Sequence, residues 1–304
     1  METGRRLAGW WPALRRRWRS PAQAPQEGAA RVGLALGGGF ARGIAHIGVL
    51  RAFERAGIPI ACIAGVSAGS MVAAAYASGA SSEEIAAMAR SMRFGDVARW
   101  TIARLGFAGS DRMAKFLRRL LKHDRFEEMR IPLGVVATDL LSGEAVLFRD
   151  SGDVILPIRA SCSYPGLFQP VPYQNRLLVD GAMSMEIPAA MTRDLGATRV
   201  VAVNLPLEVA AAPPPNMFAV VNRCFQIMQR RAEGDWRRLS DVVITPHVQG
   251  VGWDGFESAD RLIEAGEQAA QAALPAIRQW LVLEQATRIL PPHNASPQEQ
   301  PLRA

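Results

Sequence analysis

The sequence holds three cysteines, Cys62, Cys162 and Cys224, and four histidines among its 304 residues. The cysteines lie far apart, form no C-x-x-C pair and have no histidine-rich neighbourhood. Neither a disulfide framework nor a structural zinc site is expected, and an interior, reducing compartment is. Aromatic residues make up only 7% of the chain, which leaves no evident platform for stacking nucleic-acid bases. Long apolar runs are also missing. The stretch 56–82 carries no charge, but it contains Pro59, four Gly and five Ser, and it divides at Gly65. A buried strand followed by a buried helix is expected there, not a membrane span. Residues 1–30 lack an apolar core followed by a small-residue cleavage site, so no signal peptide is read and a cytoplasmic chain is expected.

What is present is globular: 49% hydrophobic and 21% charged residues support a sizeable core. The net charge of +7 first suggests nucleic acid. Its distribution argues otherwise. Residues 1–31 hold seven Arg against Glu2 and Glu27, which leaves 28 basic and 26 acidic groups for the rest. The basic character belongs to a tail, and no nucleic-acid partner is expected. Within that tail Leu7, Trp11, Leu14 and Trp18 would share one face of a helix, with Trp10 beside them. Tryptophan with arginine suits an anionic membrane surface, which would put the protein at the periphery of the inner membrane face; the plain alternative is a floppy basic tail. The chain is therefore divided into a tail and linker at 1–30, a main domain at 31–290, and a disordered polar end at 291–304.

From residue 31 onward, strand-like and helix-like segments alternate. Strands are expected at 31–36, 60–64, 133–137, 145–148, 176–179, 199–203 and 242–245. Helices are expected at 43–56, 68–78, 216–231 and 258–282, and 82–122 reads as helical throughout, with Ser110 or Asp111 as an internal N-cap. Alternation of this kind implies an α/β fold with a mostly parallel sheet and helices on both faces.

The strongest motif is Gly65-Val66-Ser67-Ala68-Gly69, a G-x-S-x-G between an expected strand and helix. A sharp turn there would lift Ser67 above the sheet edge, and the following helix would point its N-terminus at the site where negative charge develops. A structural turn is the alternative. A second motif, Gly37-Gly38-Gly39-Phe40-Ala41-Arg42-Gly43, also joins a strand to a helix. Arg42 stands where a dinucleotide fingerprint needs its third glycine, and the Lys and Ser/Thr of a P-loop are lacking. An oxyanion hole from Gly37, Gly38 and Gly39 is the more economical reading. The nucleophile needs a base, yet His46, His123, His247 and His293 show no triad context; His46 reads as a packed helix residue. Asp180-Gly181-Ala182 instead delivers a carboxylate at a strand end, where open α/β sheets place active sites. Read alone, Asp180 is equally a helix cap or a solvated turn.

Together these motifs resemble the patatin-like phospholipase family, in the bacterial branch similar to the catalytic domain of neuropathy target esterase. The family's glycine-rich element matches Gly37 to Gly43 with one extra residue, Ala41; its elbow matches Gly65 to Gly69; its D-G-G/A element matches Asp180 to Ala182. Ala137-Thr138-Asp139-Leu140, and Ala160-Ser161 leading to Pro165, Phe168 and Pro170, are further similar stretches. Glu186 stands two residues before Pro188 where many members carry Asn. The resemblance implies a three-layer α/β/α fold and a Ser67–Asp180 dyad in place of a triad. It also implies an oxyanion hole at Gly37 to Gly39, with Arg42 bracing the loop or meeting a lipid phosphate, and neither metal nor cofactor. The substrate would be a phospholipid, lysophospholipid or neutral lipid.

Trp100, Ile102, Leu105 and Phe107 are available to hold an acyl chain, and 94–109 reads either as a lid or as core helix; Tyr164 to Phe168 is another candidate wall. Three functions fit: a lipid acyl hydrolase, an acyltransferase using the same acyl-enzyme, or a non-catalytic protein on this fold. Oligomeric state is not readable.

Overall fold

Short apolar runs, each closed by glycine or a polar turn, build a sheet that buries both its faces. The computed structural model describes residues 30–103, 105–206 and 213–289; the tail readings at 1–29 and 290–304 lie outside the described residues. In chain order the elements are β1 Val32–Leu36, a 3-10 turn Phe40–Ile44, α1 Ala45–Ala56, β2 Cys62–Val66, α2 Ala68–Ala77 and α3 Ser82–Ser91. There follow α4 Phe94–Val97, β3 Arg99–Ala103, β4 Gly106–Gly109, α5 Asp111–Leu120, β5 Leu133–Asp139, β6 Ala145–Phe148 and α6 Ile155–Ser161. The rest are β7 Val171–Tyr173, β8 Arg176–Asp180, α7 Ala189–Asp194, β9 Arg199–Val203, α8 Met217–Arg238, β10 Val242–Ile244 and α9 Ala259–Ile289.

Eight strands form one sheet in the order β10-β9-β1-β2-β5-β8-β7, with β6 also paired to β5. The first five are mutually parallel, while β6, β7 and β8 run antiparallel to their neighbours. Every residue of β1, β2 and β5 is buried, as expected of parallel strands covered on both sides. Side chains alternate across the sheet. Val32, Leu34, Leu36 and Ile63 face the main core with α1, α2, α3 and α9. Ala35, Cys62 and Ala202 face the opposite side, with Ala189 of α7 and Trp236 of α8. The mixed α/β, mostly parallel architecture of the sequence reading is thus observed.

Helices α1 and α9 approach so closely that a Cβ at Gly48 would stand 1.9 Å from the Ile263 carbonyl oxygen. A Cβ at Gly266 would stand equally near, 1.9 Å, to that of Ala45. At the same crossing the buried Glu267 pairs with Arg55 and, at 3.6 Å, with Arg51.

One expectation is corrected. Residues 82–122 do not form continuous helix: α3 and α4 are followed by an antiparallel hairpin, β3–β4, before α5 begins. The hairpin is set by contacts remote in sequence. The Phe107 and Ala108 amides both donate to the Leu167 carbonyl, at 3.0 and 2.8 Å, and a Cβ at Gly106 would lie 2.7 Å from the Gln169 nitrogen. The strand expected at 60–64 lies two residues later, at Cys62–Val66. Elements α6, α7 and β7, absent from the sequence reading, are too short to show a period.

Gly48→Ala should destabilise the fold by about 3 kcal/mol or more, because a backbone clash forces two helices apart. Gly57→Ala should cost only about 1 kcal/mol, since its site is open but its φ is +64°. Chemical denaturation of both variants checks the order.

Candidate active site

Strand β2 ends at Val66, and the chain turns so sharply that Ser67 adopts φ 53°, ψ −128° before α2 begins. A non-glycine residue in that region stores about 1–3 kcal/mol of strain and needs its surroundings to hold it. They do so from two sides. The Ser67 amide donates to Ser161 Oγ at 2.8 Å, and Ser70 Oγ donates to the Ser67 carbonyl at 2.6 Å. The flanking glycines are required by space: a Cβ at Gly65 would lie 2.5 Å from the Gly69 oxygen, and one at Gly69 2.4 Å from the Leu36 oxygen. Gly43, closing the other glycine motif, lets Ala68 approach to 2.5 Å of where its own Cβ would stand. The N-terminus of α2 is thereby pressed against the glycine-rich loop.

Asp180 arrives by a register device. β2 pairs with β5 as far as Val66↔Val136, and β8 pairs with β5 from Asp180↔Ala137 onward. Because β6 occupies Val135 to Thr138 on the opposite edge, β2 and β8 share one edge of β5 end to end. The serine leaves that edge where the aspartate joins it. Gly181 makes the junction possible, since a Cβ there would lie 2.2 Å from the Val136 oxygen. Thr138 Oγ1 donates to the Asp180 carbonyl at 2.9 Å, and the Asp180 amide donates to the Ser163 carbonyl at 3.0 Å.

The carboxylate itself is 1% exposed. Its Oδ1 accepts the Ala182 amide at 2.9 Å, while Oδ2 has no hydrogen-bond partner among the described residues. Burial pushes the Asp180 pKa up to about 7, against the opposing pull of the Ala182 amide and of the adjacent Ser67 hydroxyl. Cys162 is buried beside the same pair, and desolvation and the Asp180 charge push its thiol well above the ordinary range.

The glycine loop lies against the serine: a Cβ on Gly38 would be 4.0 Å from Ser67 Oγ. Gly37 is anchored at both ends, its amide donating to the Val203 carbonyl at 3.3 Å and its carbonyl accepting His46 Nε2–H at 2.8 Å. Complete burial drives the His46 pKa down to about 4, so the ring stays neutral and keeps its grip on the loop. His46 is packed, as the sequence suggests, but it also positions the loop. Its place early in the helix after the glycines was the available signal.

Two cavities meet at Ser67. One is apolar and rich in methionine, with Met71, Met88, Met92 and Met113 among its lining residues beside Phe94 and Phe168. The other is lined by Gly37 to Gly39, Arg42, Asp180, Tyr164 and Glu186. It is also lined by Asn222, Gln226 and Gln229 of α8, which stand at one-turn spacing and belong to no motif. Tyr164 donates to Asn222 Oδ1 at 2.7 Å, and Glu186 accepts the Trp236 indole N–H at 3.2 Å. Of the residues first expected to hold an acyl chain, Trp100, Leu105 and Phe107 line neither cavity. Trp100, Leu105 and Phe107 stand out on the hairpin, at least 60% exposed, and the Ile102 side chain lies outside the described residues.

Residues 34–193 match the family model described as patatin-like phospholipase. An NTE family protein of Mycobacterium bovis is 37% identical over 191 residues, covering 61% of this chain and 52% of that protein. A second, from Mycobacterium tuberculosis, is 29% identical over 303 residues, 88% of this chain and 52% of that protein. Mouse patatin-like phospholipase domain-containing protein 6 is 31% identical over 188 residues, 57% of this chain and 13% of that protein. The chain thus spans about half the length of the mycobacterial relatives. Among solved structures, human GIVD cytosolic phospholipase A2 aligns with a TM-score of 0.45 at 14% identity, over 85% of this chain and 60% of that one. No helix of the described residues is long and apolar enough to cross a membrane. The family match runs from β1 into α7 and takes in both Ser67 and Asp180, and the chain belongs to the patatin-like phospholipase family.

Proposed function

We propose that this protein is a serine acyl hydrolase that cleaves carboxylic ester bonds of phospholipids, lysophospholipids or related lipids through a Ser67–Asp180 dyad. The observation that carries the reading is a buried carboxylate with one oxygen unpartnered among the described residues, beside a strained serine, where an apolar and a polar cavity join. Asp180 takes the proton from Ser67 Oγ as the oxygen attacks the ester carbonyl. A pKa near 7 makes the carboxylate a far better base than an exposed aspartate. The tetrahedral oxyanion is received by the Gly38 and Gly39 amides and by the N-terminus of α2. The Gly37 amide, already bound to Val203, serves as an anchor for that loop. Asp180 then protonates the departing alcohol, which leaves Ser67 acylated, and activates the water that releases the fatty acid.

The acyl chain occupies the methionine-rich cavity and the alcohol portion the polar one, where Arg42 braces the loop or meets a phosphate. The Trp/Arg pattern of residues 1–30 supports a peripheral, cytoplasmic placement on anionic lipid; removing it should weaken liposome binding while leaving soluble-ester turnover intact.

Ser67→Ala and Asp180→Asn should each lower kcat/KM on a short p-nitrophenyl ester by about a hundredfold or more; full activity in either variant would end the dyad assignment. In the parent, kcat/KM should rise with pH through a midpoint near 7, where Asp180 ionises. Stability runs the other way. The unfolded carboxyl ionises near 3.8 and the folded one near 7, so the folded state loses stability as pH climbs between those values. Asp180→Asn should therefore melt higher than the parent at pH 8, with the gap closing as pH falls toward 4, as paired thermal melts would show.

A further inference from the structure

Over residues 217–229, helix α8, Met217–Arg238, turns amide side chains toward the polar cavity and apolar ones toward solvent; beyond them Trp236 is buried and the exposed residues are mostly charged. Asn222, Gln226 and Gln229 line the polar cavity, whereas the opposite face carries Met217 at 82% exposure, Met228 at 64%, Val220, Val221 and Ile227. A helix on a water-facing surface has the reverse arrangement, and a contiguous exposed apolar stripe marks an interaction surface.

A second element also exposes large apolar side chains. The β3–β4 hairpin presents Trp100, Leu105 and Phe107. The two elements are joined through the segment from Tyr164 to Phe168. Leu167 holds the hairpin by two backbone hydrogen bonds, while Tyr164 holds α8 through Asn222 and a ring contact to Phe225 at 5.8 Å. Ring contacts run from Trp100 through Phe94, Trp253, Phe40 and Tyr164 to Phe225. Phe40 and Trp253 line both cavities that meet at Ser67. One chain of ring contacts thus connects both exposed surfaces to the cavities that meet at Ser67.

We propose that the outward face of α8 and the hairpin form one docking surface for a bilayer containing anionic phospholipid, with α8 lying in the headgroup plane. Charge supports this occupant. Arg99 at the hairpin and Arg230 and Arg231 on α8 are exposed, while Glu233 and Asp235 further along α8 pair with Arg237 and Arg238. Cations beside an apolar face and an exposed tryptophan suit an anionic membrane interface, whereas a self-contact of this face would gather the like charges of two copies into one interface. The docking surface also places the bilayer where an acyl chain can pass to Ser67, which is itself buried. The surface thus supplies a partner for the hydrolase reading, on which that last step rests.

Cys224 lies on the outward face and is exposed, whereas Cys62 and Cys162 are buried. The native chain can therefore be labelled at Cys224 with an environment-sensitive thiol fluorophore. Phosphatidylcholine vesicles containing phosphatidylglycerol should shift its emission to the blue and shield it from aqueous iodide, more strongly than phosphatidylcholine alone. The double variant Val221→Glu, Met228→Glu should need about tenfold more lipid or greater for the same shift, with soluble-ester turnover unchanged. Ser67→Ala should give the parental shift, so that loss of catalysis and loss of docking are read separately. Vesicle binding that leaves the label in water, or no binding at all, overturns the proposal. So does a blue shift that grows with protein concentration without lipid, which assigns the face to a second copy.

Discussion

One edge of one strand organises the site. Strand β5 is paired along its lower half by β2 and along its upper half by β8, so two segments more than a hundred residues apart are brought into adjacent register positions by ordinary ladder hydrogen bonds. Backbone groups freed where β2 leaves the sheet find partners close by: Ser161 for the Ser67 amide, Ser163 for that of Asp180, Thr138 for the Asp180 carbonyl. A row of buried hydroxyls and carbonyls takes over where the ladder stops, as buried polar backbone requires.

That arrangement leaves one oxygen, Asp180 Oδ2, deliberately poorer in partners than its surroundings. An additional donor there would stabilise the ionised carboxylate and weaken it as a base. A second buried titratable group near the site is shifted in the other direction. His46 is also desolvated, yet as a base it is held neutral by burial, and it spends its one N–H on the Gly37 carbonyl. Burial favours the neutral form of both groups, raising the pKa of the acid and lowering that of the base; in the proposed mechanism the first serves a chemical end and the second a mechanical one.

Much of this was legible in the sequence. The elbow and Asp180-Gly181-Ala182 announce themselves because their glycines answer to backbone atoms within 2.5 Å of where a Cβ would go, and such constraints leave a residue-type signature. The parallel strands were legible because they are buried on both faces. The hairpin was not, since its place depends on Leu167, about sixty residues away in sequence. Nor was the orientation of α8. Periodicity reports that a helix has two unlike faces and is silent on which of them the fold turns inward. The anchoring role of Gly37, grouped by sequence with its two neighbours, depends on an acceptor in β9 that no local pattern shows.

The methionines around the apolar cavity carry a consequence for selectivity. Met71, Met88, Met92 and Met113 present unbranched thioether side chains, which change shape at little cost and fit irregular guests. A sleeve of this kind accommodates bends and length differences in a hydrocarbon and so discriminates weakly among them. Across Ser67 the lining is stiffer, because Asn222 is fixed by Tyr164 and Glu186 by Trp236. On the proposed placement of acyl chain and alcohol, recognition would be divided unequally about the scissile bond, with tolerance on the acyl side and choice on the alcohol side.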